Sequence, residues 1–186
     1  MRKAMLATIA VGVMAGTAVV LTDNNFRRIR EFLSGHEELP LVLTTGRGTF
    51  RASINREGTE IAYTLRYSGL ESDATQSHIH IGQPGINGGI SVYLCVNTPP
   101  ITPTPNPLPI AKPACPLREG EVEGTLVAAD VVGPTSQGVV AGDFERLLYA
   151  IRTGNTYVNV HTVRSPGGEI RSQIDSDHDD HDHDDH

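Results

Sequence analysis

Between Leu39 and Ile174 apolar and polar residues alternate in short runs, with turn residues between them, which is the spacing of half-buried strands. Gly48–Ile54 and Glu60–Tyr67 alternate on either side of Asn55-Arg56-Glu57-Gly58 and predict a hairpin. Further strands are predicted over Ser77–Gly82, Ile90–Val96, Glu121–Val127, Thr156–Val163 and Glu169–Ile174. The stretch GQPGINGG at 82–89 and the run Ser165-Pro166-Gly167-Gly168 read as turns. Inside this region only Asp143–Thr153 has helical spacing, with Phe144, Leu147, Leu148 and Ile151 on one face. Many short strands with turns between them predict an antiparallel sandwich or barrel.

The two ends read differently. Arg2 and Lys3 precede an uncharged apolar run from Ala4 to Leu21, with small residues at Gly16 and Ala18, so residues 1–22 read as an export signal. The run also has nearly the length of a membrane span, which leaves an uncleaved anchor as the competing reading and membrane association as its consequence. Asn24–Leu33 places Phe26, Ile29 and Leu33 at helical spacing, so 23–34 is expected to be a linker or short helix. The domain is then expected over 35–174, followed by a disordered tail over 175–186.

Charge sharpens that division. The formal net charge is −7, from 22 acids and 15 bases, and Asp175, Asp177, Asp179, Asp180, Asp182, Asp184 and Asp185 account for all of the excess. The rest of the chain is formally neutral. No basic stretch interleaved with aromatics appears, and an acidic tail repels phosphate, so nucleic acid is excluded as a partner. An exported domain is expected to be secreted, periplasmic or displayed at the cell surface. In that setting Cys95 and Cys115, on either side of seven prolines between 99 and 113, predict a disulfide. Closing a loop of this length is worth on the order of 3 kcal/mol.

Candidate chemistry lies with histidine. His78 and His80 are two apart on a predicted strand, so both leave one face while Ile79 and Ile81 fill the other. Asn159 and His161 share a face opposite Val158 and Val160 in the same way. These histidines are expected on the polar side of their strands. If the two strands are neighbours, three imidazoles converge as a copper or zinc ligand set; otherwise each ring pins a loop by hydrogen bonding. Glu169 and Arg171 share a face, where the carboxylate orients a histidine as an outer partner or forms a surface ion pair or a turn-stabilising hydrogen bond. Glu71 and Asp73 are weaker candidates for oxygen ligands. In the tail, His178, His181, His183 and His186 among the aspartates form a mixed nitrogen and oxygen set suited to collecting divalent metal at low affinity. No hydrolase or nucleotide-binding motif is present, and neither cysteine has a catalytic setting.

Several of these segments together resemble the chordin (CHRD) domain: GHEELP at 35–40, Ser68-Gly69-Leu70, His78-Ile79-His80, Gly85–Gly89, YVNVHT at 157–162 and PGGEIR at 166–171. The resemblance implies an extracellular, antiparallel Greek-key-like β-sandwich of immunoglobulin or superoxide-dismutase type, with one short helix. In animals the domain occurs in an extracellular antagonist of growth factors, which implies a protein-interaction or self-assembly role as the alternative to metal binding. Copper/zinc superoxide dismutase also carries an H-x-H pair, but this chain lacks the further histidines of a bridged two-metal site, so a mononuclear site is expected and dismutase activity is a minor reading. Ser172 stands where the family has glycine after the arginine, and the proline-rich loop reads as an insertion.

Overall fold

In a computed structural model the structure describes residues 28–97 and 111–175; the apolar segment 1–22, the core of the proline-rich loop and the His/Asp tail lie outside the described residues. Eight strands form the fold: β1 (Arg28–Ser34), β2 (Arg47–Ile54), β3 (Ile61–Ser68), β4 (Ala74–Ile81), β5 (Gly89–Val96), β6 (Gly120–Leu126), β7 (Thr156–Thr162) and β8 (Ile170–Ile174). One helix, α1 (Phe144–Arg152), precedes β7. All pairings are antiparallel, in the order β5-β4-β7-β8-β1-β2-β3-β6.

The strands predicted from alternation are present, and so is the hairpin. Its loop closes through Asn55, whose Oδ1 accepts from the main-chain N–H of Thr59 and Glu60 at 2.8 and 3.1 Å. Helix α1 is also where its apolar face predicts it, with Asp143 accepting from the Arg146 N–H as N-cap and with Phe144, Leu147, Leu148 and Ile151 buried.

Two expectations change. Arg28–Ser34 is a strand and not a helix: Ile29, Glu31 and Leu33 turn inward while Arg28, Arg30 and Phe32 turn outward. The sheet is also not divided into two separate layers. Strand β1 joins β8 through the single pair Ser34↔Arg171 and pairs with β2 over its whole length, so two groups of four strands become one sheet. That sheet curls until its edges β5 and β6 approach, and the fold is nearly a barrel.

The inward residues supply the core, among them Phe50, Leu65, Leu94, Leu126, Val158 and Ile170, each fully buried. Tyr63 crosses this interior and donates to the Leu94 carbonyl at 2.6 Å. The edges are tied by a disulfide between Cys95, in β5, and Cys115, just before β6. Next to it the Val96 N–H donates to Pro113 O at 3.0 Å, and Asn97 Oδ1 accepts from the Cys115 N–H. Among the described residues no helix is long and apolar enough to cross a membrane.

Candidate metal centre

The site is built on β4 and β7, which are neighbours. The register sets His78 opposite Asn159 and His80 opposite Tyr157. Parity therefore sends His78, His80, Tyr157, Asn159 and His161 to one side, while Ile79, Val158 and Val160 enter the core. Arg171 lies opposite Asn159 on β8, and Tyr93 lies opposite His78 on β5.

The expected polar face is present, but it is not solvated. His78, His80 and His161 are only 0, 6 and 7% exposed, and every residue of β4 and β7 is buried on both faces. Loops cover the outside of the sheet here. Arg171 donates to Asn87 Oδ1 and Ile86 O at 2.9 and 2.8 Å, fastening the 82–88 turn above the site. Its guanidinium also lies 3.4 Å from the centre of the Tyr157 ring, and Tyr157 stacks on His80 with centroids 4.6 Å apart and planes 5° from parallel. Gly88 fits this turn because it has no side chain: a Cβ would stand 1.6 Å from the Ile81 carbonyl oxygen. On the other flank Glu38 lies against Gly168, where a Cβ would meet its Oε1 at 2.2 Å.

Hydrogen bonds define the imidazoles. His80 Nδ1 is 2.9 Å from Gly88 O and His161 Nδ1 is 2.9 Å from Pro166 O, so both rings carry their proton on Nδ1. The Nε2 atoms then present lone pairs. His161 Nε2 stands 3.1 Å from His78 Nδ1 and 3.0 Å from Asn159 Oδ1. An amide oxygen facing a ring lone pair is relieved by turning the amide or by placing a cation between them. His78 Nε2 and His80 Nε2 are buried and have no partner among the described residues, and the same holds for Tyr93 Oη and Glu38 Oε1. Buried lone pairs without donors are costly, and they are what a metal ion needs.

One nitrogen from each ring lies within 4.8 Å of the others. Ligands of a tetrahedral ion stand about 3.3 Å apart when its bonds are ~2.0–2.1 Å. His78 Nδ1 and His161 Nε2 have that spacing but share a hydrogen bond, so binding requires the His78 proton to move to Nε2 and His80 to swing inward. The protonation state also suits a cation. Burial, reinforced by the neighbouring imidazoles, holds His78 well below its ordinary value. Burial also lowers His161, and it lowers His80 to about 4 against the opposing bond to Gly88. All three rings are therefore neutral at pH 7. Glu38 is pushed up to about 7 by burial, which outweighs the attraction of Arg171.

Asn159 contacts His161 directly. Glu169 is fully buried but binds no imidazole: its carboxylate accepts from Thr44 and Thr162 hydroxyls, both at 2.7 Å, and from the Glu71 N–H at 2.8 Å. Neither Glu169 nor Arg171 is part of a surface ion pair. Asp73 pairs with Arg118 and Glu71 with Arg164 at the surface, so these two acids are not brought to the histidines. His178, His181, His183 and His186 lie outside the described residues. Sequence reasoning assigned no role to Glu38, Tyr93 or Tyr157, although strand parity already placed Tyr157 beside Asn159 and His161.

The GHEELP, HIH, PGINGG, YVNVHT and PGGEIR segments, distant in sequence, thus meet around one cluster. A barrel-like antiparallel domain with a buried histidine cluster outside its apolar core is the class of protein these features define. The chain belongs to the CHRD domain family, which matches residues 30–174 and therefore includes most of β1. Neither the curated proteins nor the solved structures compared with it gave a match.

Proposed function

We propose that this is an extracytoplasmic metal-binding protein, in which His78, His80 and His161 hold one copper or zinc ion. The observation that carries the reading is the convergence of three neutral, buried imidazoles, two of them with a ring nitrogen that has no hydrogen-bond partner. Nitrogen-only ligation suits Cu or Zn over the oxygen-seeking Mg and Ca. The burial of the rings favours holding a metal over turning over a substrate, so no enzymatic activity is assigned. Asn159 and Arg171 act as outer partners, the first on His161 and the second through Tyr157 on His80, whereas Glu169 braces the loops. His178, His181, His183 and His186 serve as a low-affinity collector. The disulfide and the family support an extracellular location, and the apolar segment 1–22 acts as the export signal or anchor.

A second reading has its own support. His80 and His161 each bind a loop carbonyl, as rings that only pin loops would do. In that case the domain is an interaction or self-assembly module.

Metal content of the oxidised full-length chain separates the two. One equivalent of copper or zinc is expected after dialysis against weak chelator, retained when His178, His181, His183 and His186 become Asn and lost in His78→Ala/His80→Ala. Retention by the double variant, or uptake that follows the tail histidines alone, would leave the domain histidines as loop anchors.

A further inference from the structure

The outer surface of β1, β2 and β3 carries a second unexplained cluster. Arg28 and Arg30 of β1, Arg47 and Arg51 of β2, and Arg66 of β3 all point outward and are exposed. The register sets Arg30 directly against Arg51, an opposition of like charges that costs stability in a sheet. None of the five has an ion-pair partner among the described residues. Arg30 lies 5.4 Å from the ring centre of Phe32, which is itself 63% exposed. Together Arg28, Arg30, Phe32, Arg51 and Thr64 line an open depression of about 1050 Å³, bounded on its β6 side by Glu123.

The chain carries its own complement to this face. The Asp175 N–H donates to Glu31 Oε1 at 3.0 Å, so the polypeptide leaves β8 beside the middle of β1, on the inward side of the strand that carries Arg28 and Arg30 on its outer side. Residues 176–186 follow, with six further aspartates and no Lys or Arg. Extended, those residues reach roughly 36 Å, whereas crossing from β1 to β3 takes roughly 10 Å. Reach and charge therefore both match, and the attachment point holds the tail at high local concentration.

We propose that the acidic tail, 176–186, seats on the arginine face of β1–β3 and neutralises it. The tail then shields this face from other polyanions, which must displace it to bind. The inference does not depend on the metal reading, because it rests on carboxylates and holds in the presence of chelator.

The chain has no tryptophan, so Phe32→Trp places a unique fluorophore on the face. With a dansyl acceptor on the C-terminus of the full chain, energy transfer in EDTA should fall at least about 2-fold between 20 and 500 mM NaCl, as screened surface charge requires. The same fall is expected when Asp177, Asp179, Asp180, Asp182, Asp184 and Asp185 become Asn, a change that leaves the folded domain untouched. Transfer insensitive to both would overturn the proposal. Transfer that rises with protein concentration would also overturn it, and would assign the face to the tail of a second copy. Equal affinity for dextran sulfate with the Asp and Asn tails would assign the face to an external polyanion instead.

Discussion

The outer surfaces of the two halves of the sheet are built by the same alternation, yet they end in opposite conditions. Over β4, β7 and β8 the outward residues are histidine, tyrosine, asparagine and arginine, and loops bury them almost completely. Over β1, β2 and β3 they are arginine, serine and threonine with Phe32, and they stand open. Period-two patterning assigns a residue to a face, but it does not say what lies above that face. The cover is supplied by the segments around Glu38, Gly88 and Pro166, which reach across to the histidines. Over the arginines the described residues supply none.

The sharpest way to break the contrast is to lift the cover from the histidine side. Gly88→Ala drives a Cβ into the Ile81 carbonyl, and we expect about 4 kcal/mol of destabilisation in urea unfolding, with loss of any bound metal. A variant as stable as the parent would show that the 82–88 turn is not packed as described.

Acid should act on the same half. The His80 ring protonates near 6.5 in the unfolded chain but only near 4 in the fold, so the unfolded state binds more protons between those values. Stability must therefore fall as pH drops from 6.5 towards 4, by about 3 kcal/mol from His80 alone. His78 and His161 add to the loss in the same direction. Glu38 opposes it: raised from 4.5 to about 7, its contribution is full below pH 4.5 and is lost as pH rises through 7. Glu38→Gln should consequently steepen the acid loss between pH 6.5 and 4.5. Unfolding midpoints in chelator across that range check both signs, and a flat profile in Glu38→Gln would contradict the burial of the rings.

A comparable effect is expected where the two halves are tied together. Replacing Cys95 and Cys115 by Ala removes a crosslink 20 residues apart in sequence, which should cost about 3 kcal/mol by chemical denaturation. The smallest effect belongs to the open half. Arg30→Thr relieves the opposition to Arg51 and should change stability by less than about 0.5 kcal/mol, towards a gain. A large loss in that variant would show that the arginine face supports the fold.

These contrasts also explain what could be read from the chain. Strands β2, β3 and β7 were legible because their inward residues alternate without interruption, and α1 because its apolar residues repeat at helical spacing. Strand β1 was not, because Glu31 occupies an inward position between Ile29 and Leu33 while the large apolar Phe32 faces out. With an acid inside and a phenylalanine outside, Ile29 and Leu33 remain as a pair four apart, which mimics one helical turn. Missing β1 also hid the junction that makes one sheet of two halves. The three histidines were legible from their spacing on two strands. Their burial, the Tyr157 and Arg171 stack, and the position of Glu38 depend on loops that cross from elsewhere in sequence, for which no local pattern exists.

The pairing of β1 with β8 brings the start and the finish of the domain side by side, since Arg28 opens one strand and Ile174 closes the other at the same pole. Arg28 and Asp175 therefore lie on one side of the sheet, roughly 10 Å apart along β1, like two cords tied to one rim. A short peptide joining these ends, with new termini opened at Glu57 in the exposed hairpin loop, should yield a circular permutant of unchanged fold. A body attached through its first strand would hang with its far end free, its last residues held close to the point of attachment.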